Sequence, residues 1–275
     1  MAFVEFLRVR NAFVIYAGIT AAVILTLVLS LHGSPPVIVG DAGPHAAPGA
    51  LTVTAGGGGP AVSGKNLAIP LGVLLGIAGY CAMIFATAIC TSLNYHNRLL
   101  GFIFTKPVSR VRIAATFIGV DAITIVVAFV FALFVVTFTP LASAGLLRYV
   151  FVDREALALG LLGLGIAFMW YGLLQAATSW YKGGGGRICG LSWALFFVLI
   201  IVSHAPIGAL GHGLVSALNY LNPLAYLTEF TVGDGGRTSA VSLIPVAASW
   251  RALLVWLIAL AGCAVAVFAW KRQEA

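Results

Sequence analysis

Apolar residues gather along this chain into six uninterrupted runs, at about 12–31, 68–93, 113–139, 156–181, 188–205 and 250–270, each ended by charge, proline or glycine clusters. About twenty apolar residues, rising about 1.5 Å each, cross a hydrocarbon core of about 30 Å, so each run predicts a membrane-spanning helix. A β-barrel also satisfies its backbone in lipid, but it needs short segments of alternating polarity, and none of the six runs alternates. The pattern predicts an all-α polytopic membrane protein of six transmembrane helices forming a single domain over 1–275.

Composition agrees, with 61% of the 275 residues hydrophobic, only 8% charged and a mean hydropathy of +1.06. No soluble domain of this size tolerates that surface. The basic residues set the orientation. With the N-terminus inside, the inner segments carry Arg8, Arg10, Arg98, Lys106, Arg110, Arg112, Lys182, Arg187, Lys271 and Arg272, against Lys65, Arg148, Arg154, Arg237 and Arg251 outside. That excess predicts both termini on the cytoplasmic side. The formal net charge of +7 then reflects topology and contact with anionic membrane lipids, and no nucleic-acid partner is expected.

The first run follows Arg8 and Arg10 in the manner of a signal peptide, but it is long for one and LHGSPPV after it offers no small-x-small cleavage site, so it is expected to be a retained span. Ahead of it, MAFVEFLRVR suits either a short interfacial helix or a frayed basic tail. Outer loops are expected at 33–66, 140–155 and 206–249, and cytoplasmic connectors at 94–112 and 182–187. The first loop is rich in Gly, Pro, Ala and Thr and lacks the bulky residues of a core. The third holds GALGHGLVSALNYLNPLAYLTEF, which Pro223 and several glycines divide into pieces near ten residues, so it predicts a pair of short re-entrant or interfacial helices and not a seventh span.

Little of the sequence carries chemistry. Gly59–Asn66 has the spacing of a phosphate loop, but Asn66 stands where a hydroxyl must meet magnesium, and neither a strand nor a soluble helix surrounds it. No HExxH or GxSxG occurs, and His32, Asp41, His45, His204 and His212 lack metal-ligand spacing. The four cysteines, Cys81, Cys90, Cys189 and Cys263, all fall inside spans and read as small hydrophobes. Neither an enzymatic activity nor a metal site of its own is expected. Asp121 differs from all of these: it is the one acid well within a run, about 12 Å along it, where a carboxylate costs a few kcal/mol unless it faces protein, a partner or water. It is either functional or a tether to Arg98, to Arg112 of a partner chain or to Gln175. Small residues recur at packing spacing in Gly72, Gly76, Ala78, Ala82 and Ala86, and again in Gly186 and Gly190.

Between the second and third runs lies GFIFTKPVSRVRI, from Gly101 to Ile113, and later comes NPLAYL, from Asn222 to Leu227. With six spans and both ends inside, these words resemble permease subunits of the ABC-2 type exporter family. The resemblance implies a cytoplasmic connector that docks on a separate ABC ATPase subunit, with coupling roles for Arg98, Gly101, Lys106, Pro107, Ser109 and Arg110. It further implies a second permease copy or paralogue, ATP and magnesium bound by the ATPase and not by this chain, and residence in the cell inner membrane. Pro107 suits a bend there, since it fixes its own φ and disfavours helix at Lys106. One position departs, because relatives carry an acid shortly before the glycine where this chain has Asn94, Tyr95, His96, Asn97 and Arg98. The apolar spans favour an amphipathic or lipid-like cargo. A non-transporting anchor or regulatory subunit of a membrane complex is the competing expectation.

Overall fold

Three parallel helices form the centre of the molecule, and each owes its place to glycine or alanine. The computed structural model describes residues 9–22, 69–95, 109–143, 150–152, 156–180, 185–203, 205, 208–230 and 248–272. These form α1 (Val9–Ala22), α2 (Leu71–Tyr95), α3 (Arg110–Ser143), α4 (Ala156–Trp180), α5 (Gly185–Ser203), α6 (Ala209–Asn219), a 3-10 segment (Pro223–Phe230) and α7 (Ala248–Arg272). A two-residue parallel pairing, Ile69 with Val150 and Pro70 with Phe151, ties the approach to α2 to the segment before α4.

Five of these helices, α2, α3, α4, α5 and α7, are long and apolar enough to cross a membrane, which makes this a multi-pass membrane protein by length and composition. They coincide with the last five runs in the sequence. Of the first expected span, 12–31, the described part is α1 up to Ala22, and the loop 33–66 lies outside the described residues. Two ends differ from expectation. Helix α3 runs on to Ser143, through Pro140. The same helix begins at Arg110, inside the stretch expected to be connector.

In lipid, apolar area gives helices no reason to prefer each other over acyl chains, so close backbone approach must supply the attraction. Helix α4 does this on two faces. A side chain on Gly79 of α2 would collide with the Gly163 backbone, and one on Gly163 would stand 2.8 Å from the Leu75 carbonyl oxygen. Nine residues on, two and a half turns and therefore on the opposite face, a side chain on Gly172 would stand 2.7 Å from the Ala259 carbonyl oxygen of α7. Ala78, Ala82 and Ala86 are fully buried, so the first small-residue stripe packs within the chain. The second is not packed in this way: among the described residues, side chains at Gly186 and Gly190 of α5 would meet nothing within 4 Å.

Burial grades across the five long helices. The apolar windows of α4 and α2 are 61% and 56% buried, that of α7 33%, that of α3 28% and that of α5 only 11%. Helix α3 lies antiparallel on α2, and its first turns meet the end of α7 through Phe117 and Trp270, whose rings are 5.6 Å apart. Helix α1 is held by an aromatic cluster, with Phe13 edge-on to Phe85 of α2 at 5.7 Å and to Phe131 of α3 at 5.6 Å.

Candidate functional site in the bundle interior

Polar groups enter this interior at three levels along α2 and α4. The first is the turn after α6. Asn222 is fully buried; its amide nitrogen donates to the Phe196 carbonyl of α5 at 3.2 Å and to Asn219 Oδ1 at 3.3 Å, while its Oδ1 accepts the Leu224 N–H at 3.0 Å. An Asn that closes a turn on a backbone N–H two residues on is a common way to stabilise such a bend. Tyr80 Oη of α2 donates to the Pro223 carbonyl at 2.8 Å, and Tyr226 Oη donates to the Tyr220 carbonyl at 3.0 Å. Arg251, at the start of α7 and 4% exposed, lies beside Tyr220 and Tyr226.

These contacts set the depth of the segment. Phe196 is seven residues inside α5 from Ser203, about 10 Å, and Tyr80 is nine inside α2 from Leu71, about 13 Å. The chain leaving α5 therefore turns back into the bundle through α6 and the 3-10 segment before α7 begins. Irregular backbone is tolerated at such depth only where protein satisfies it, which is what Asn222 and Tyr80 do. A short helix and a 3-10 segment do stand in the stretch where a pair of short helices was expected between the last two runs.

The second level is aromatic. Thr87 Oγ1 accepts the Trp170 indole N–H at 2.7 Å and, more weakly, that of Trp193 at 3.4 Å, and donates to its own helix at the Met83 carbonyl at 3.1 Å. Trp170 meets Trp193 edge-on and tilts against Phe196, both at 5.3 Å. Trp170 and Phe196 also line an open pocket of about 210 Å³ between α4, α5 and α6, with Leu173, Leu195 and Leu199 on its wall and Ser192 as a polar member.

The third level is Asp121, fully buried in α3. Tyr171 Oη of α4 donates to Asp121 Oδ2 at 2.8 Å, and Gln175 Nε2, one turn along α4, donates to Tyr171 Oη at 3.0 Å. Gln175 was among the expected partners, and it reaches the carboxylate through Tyr171. Cys90 of α2 lies within electrostatic range of Tyr171, and Cys263 of α7 within range of both Tyr171 and Asp121. Side chains of four helices thus gather around the Asp121–Tyr171 pair. Tyr171 was not anticipated; its signal is a phenol four residues before a glutamine in an otherwise apolar run, the spacing that puts both on one helix face.

The expected coupling residues stand apart from this centre. Arg98, Gly101, Lys106 and Pro107 lie outside the described residues. Ser109 closes the start of α3: its carbonyl accepts the Ile113 N–H at 3.1 Å and its Oγ accepts the Arg112 N–H at 3.4 Å, the arrangement of a helix N-cap. Arg110 is the first residue of the helix. Twelve residues, about 18 Å, separate Ser109 from Asp121, so the helix start and the intramembrane acid are distinct places on one rod. Of the histidines and acids weighed for a metal, His32, Asp41, His45 and His204 lie outside the described residues and His212 is exposed; among the described residues no group of three or more ligand side chains forms.

Comparison with protein-family models, with curated proteins and with solved structures finds no match for this chain, so the resemblance to ABC-2 permeases rests on its sequence words and its helix plan alone.

Proposed function

We propose that this chain is the membrane-spanning permease subunit of an ATP-driven exporter of the inner membrane. A separate cytoplasmic ABC ATPase binds ATP and magnesium, docks on the connector 94–112 through Arg98, Gly101, Lys106, Pro107, Ser109 and Arg110, and drives the bundle. A second permease copy or paralogue completes the path for an amphipathic or lipid-like cargo.

The observation that carries this reading is the pair of short helical segments between the last two long helices, with their turn buried against α2 and α5, which is the place where the resemblance to ABC-2 permeases leads one to expect short helices. Two features fit beside it. Helix α5 is the least buried of the five long helices against the described residues, as suits a helix awaiting a neighbouring subunit or lipid. Helix α3 starts inside the connector and carries Asp121, whose bond to Tyr171 joins it to the central helix, so a push on the connector has a rigid route to the core.

Co-purification from membranes expressing this chain with its candidate ATPase tests the proposal. An ATPase is expected to co-purify, and Pro107→Ala and Arg110→Glu are expected to cut ATP-dependent export by tenfold or more while the chain still reaches the membrane. If no ATPase co-purifies and both substitutions leave every ATP-dependent phenotype intact, the permease reading fails and a non-transporting anchor takes its place.

A further inference from the structure

We propose that the open pocket between α4, α5 and α6 is a binding site for one acyl chain of a membrane lipid, held as a fixed part of the bundle. The proposal rests on the multi-pass membrane character of the chain and not on the exporter reading. Depth is the first argument. Ser192 and Leu199 lie seven and fourteen residues along α5, about 10 Å and about 21 Å from its start, and Trp170 lies ten residues, about 15 Å, from the end of α4. In a hydrocarbon core of about 30 Å these positions are near the middle, where the surrounding medium is acyl chain.

The walls select among occupants. Ser192 is the polar side chain there, the rest being Leu and Phe and the ring of Trp170, whose indole N–H is already given to Thr87. A buried water needs about two to four polar partners, more than this wall supplies, whereas a dry apolar cavity of about 150 Å³ takes a guest the size of benzene. At about 210 Å³ the pocket has room for a short length of hydrocarbon. No charged residue lines it, so a lipid head group finds no partner inside and the chain alone enters.

A second copy of the protein is the poorer occupant. Nine residues line the pocket, against about 20–30 a side in a stable protein interface. Ser192, Leu195, Phe196 and Leu199 share one face of α5 by their spacing of three and four, whereas the exposed Phe197, Val198 and Ile201 lie on its far side. A neighbouring subunit on that far side leaves the pocket to lipid. Leu218 of α6 and Leu221 just after it form the opposite wall, where the bond from Asn222 to the Phe196 carbonyl draws the turn toward α5. A seated chain thus packs between α6 and the two long helices and fills a gap that their own side chains leave.

Tryptophan fluorescence of the full chain in vesicles tests this, with dioleoylphosphatidylcholine in one set and the same lipid brominated at mid-chain in the other, because bromine quenches an indole only at short range. The protein keeps Trp170 and has its other five tryptophans replaced by Phe. Trp170 is fully buried among its neighbours, so lipid around the bundle reaches it poorly and a chain inside the pocket reaches it well. Brominated lipid should cut its emission by half or more, and Ser192→Phe, which fills the pocket from α5, should reduce that quenching fivefold or more. Should the five replacements prevent folding, the protein with all its tryptophans reads the same difference against its Ser192→Phe variant, since both carry the same indoles. Emission unchanged by brominated lipid, or quenched equally with and without Ser192→Phe, overturns the proposal. Quenching by acrylamide instead would put water in the pocket, and quenching by brominated lipid that appears only on dilution to monomers would put a second copy there; either overturns it as well.

Discussion

The turn at Asn222 and the carboxyl at Asp121 are both fully buried polar centres in an apolar bundle, yet they are satisfied in opposite ways. Asn222 spends its amide on the backbone, accepting the Leu224 N–H and donating to the Phe196 carbonyl, and the adjoining Pro223 carbonyl receives Tyr80. Asp121 is bound through side chains, by Tyr171 and behind it Gln175. A backbone group cannot leave its place without unfolding the turn, so the Asn222 centre is architecture. A side-chain network on a group that can be charged or neutral has two states within one fold, and that is the property a working site needs.

The strongest way to break the comparison is to remove the architectural member. Asn222→Ala leaves the Leu224 N–H and Asn219 Oδ1 without their partner at membrane depth, and each unsatisfied group costs about 1–3 kcal/mol. A loss of about 3 kcal/mol is expected, seen as a marked fall in the unfolding midpoint in detergent together with a lower yield. An unchanged midpoint would mean that the turn is not held as described.

A matched pair of phenol deletions sharpens it. Tyr80→Phe takes away the hydroxyl received by the Pro223 carbonyl and should cost about 1–2 kcal/mol. Tyr171→Phe removes a bond of the same length, 2.8 Å, but the carboxyl it leaves can neutralise itself, so a loss of about 1 kcal/mol or less is expected. Unfolding of the two variants side by side, in the same detergent, checks the order. If Tyr171→Phe proves the more damaging of the two, the carboxyl centre is the structural one and the contrast is inverted.

Much of this was legible in the sequence, and the remainder was not for definite reasons. Length and continuity of apolar runs gave the long helices because lipid leaves a chain few other options. Pro223 among glycines announced a broken segment, but whether it would lie on the surface or dip inward depends on Tyr80 and the Phe196 carbonyl, groups 143 and 26 residues away. Asp121 stood out by its charge alone. Its partner Tyr171 did not, since a tyrosine in a span is ordinary until another helix places a carboxylate against it. The stripe from Ala78 to Ala86 and the pair Gly186 and Gly190 look alike in sequence, yet the first is fully buried while the second is exposed among the described residues.

Ser109 gives the smallest effect and bears on how far the comparison extends to the membrane edge. It is exposed, and its Oγ receives the Arg112 N–H at 3.4 Å, a long bond in a place where water competes. Ser109→Ala should therefore cost about 0.5 kcal/mol, below what either buried centre loses, and Ser109→Gly still less, because glycine is a tolerated cap. If Ser109 acts only as a cap, any loss of ATP-dependent export should be as slight as the loss of stability, and Ser109→Asp, which caps as well, should restore both. A variant whose fold is intact but whose export falls tenfold would instead assign the hydroxyl to the docking surface. Measured by unfolding and transport on the same preparations, the two readings separate at a position where the sequence alone allows both.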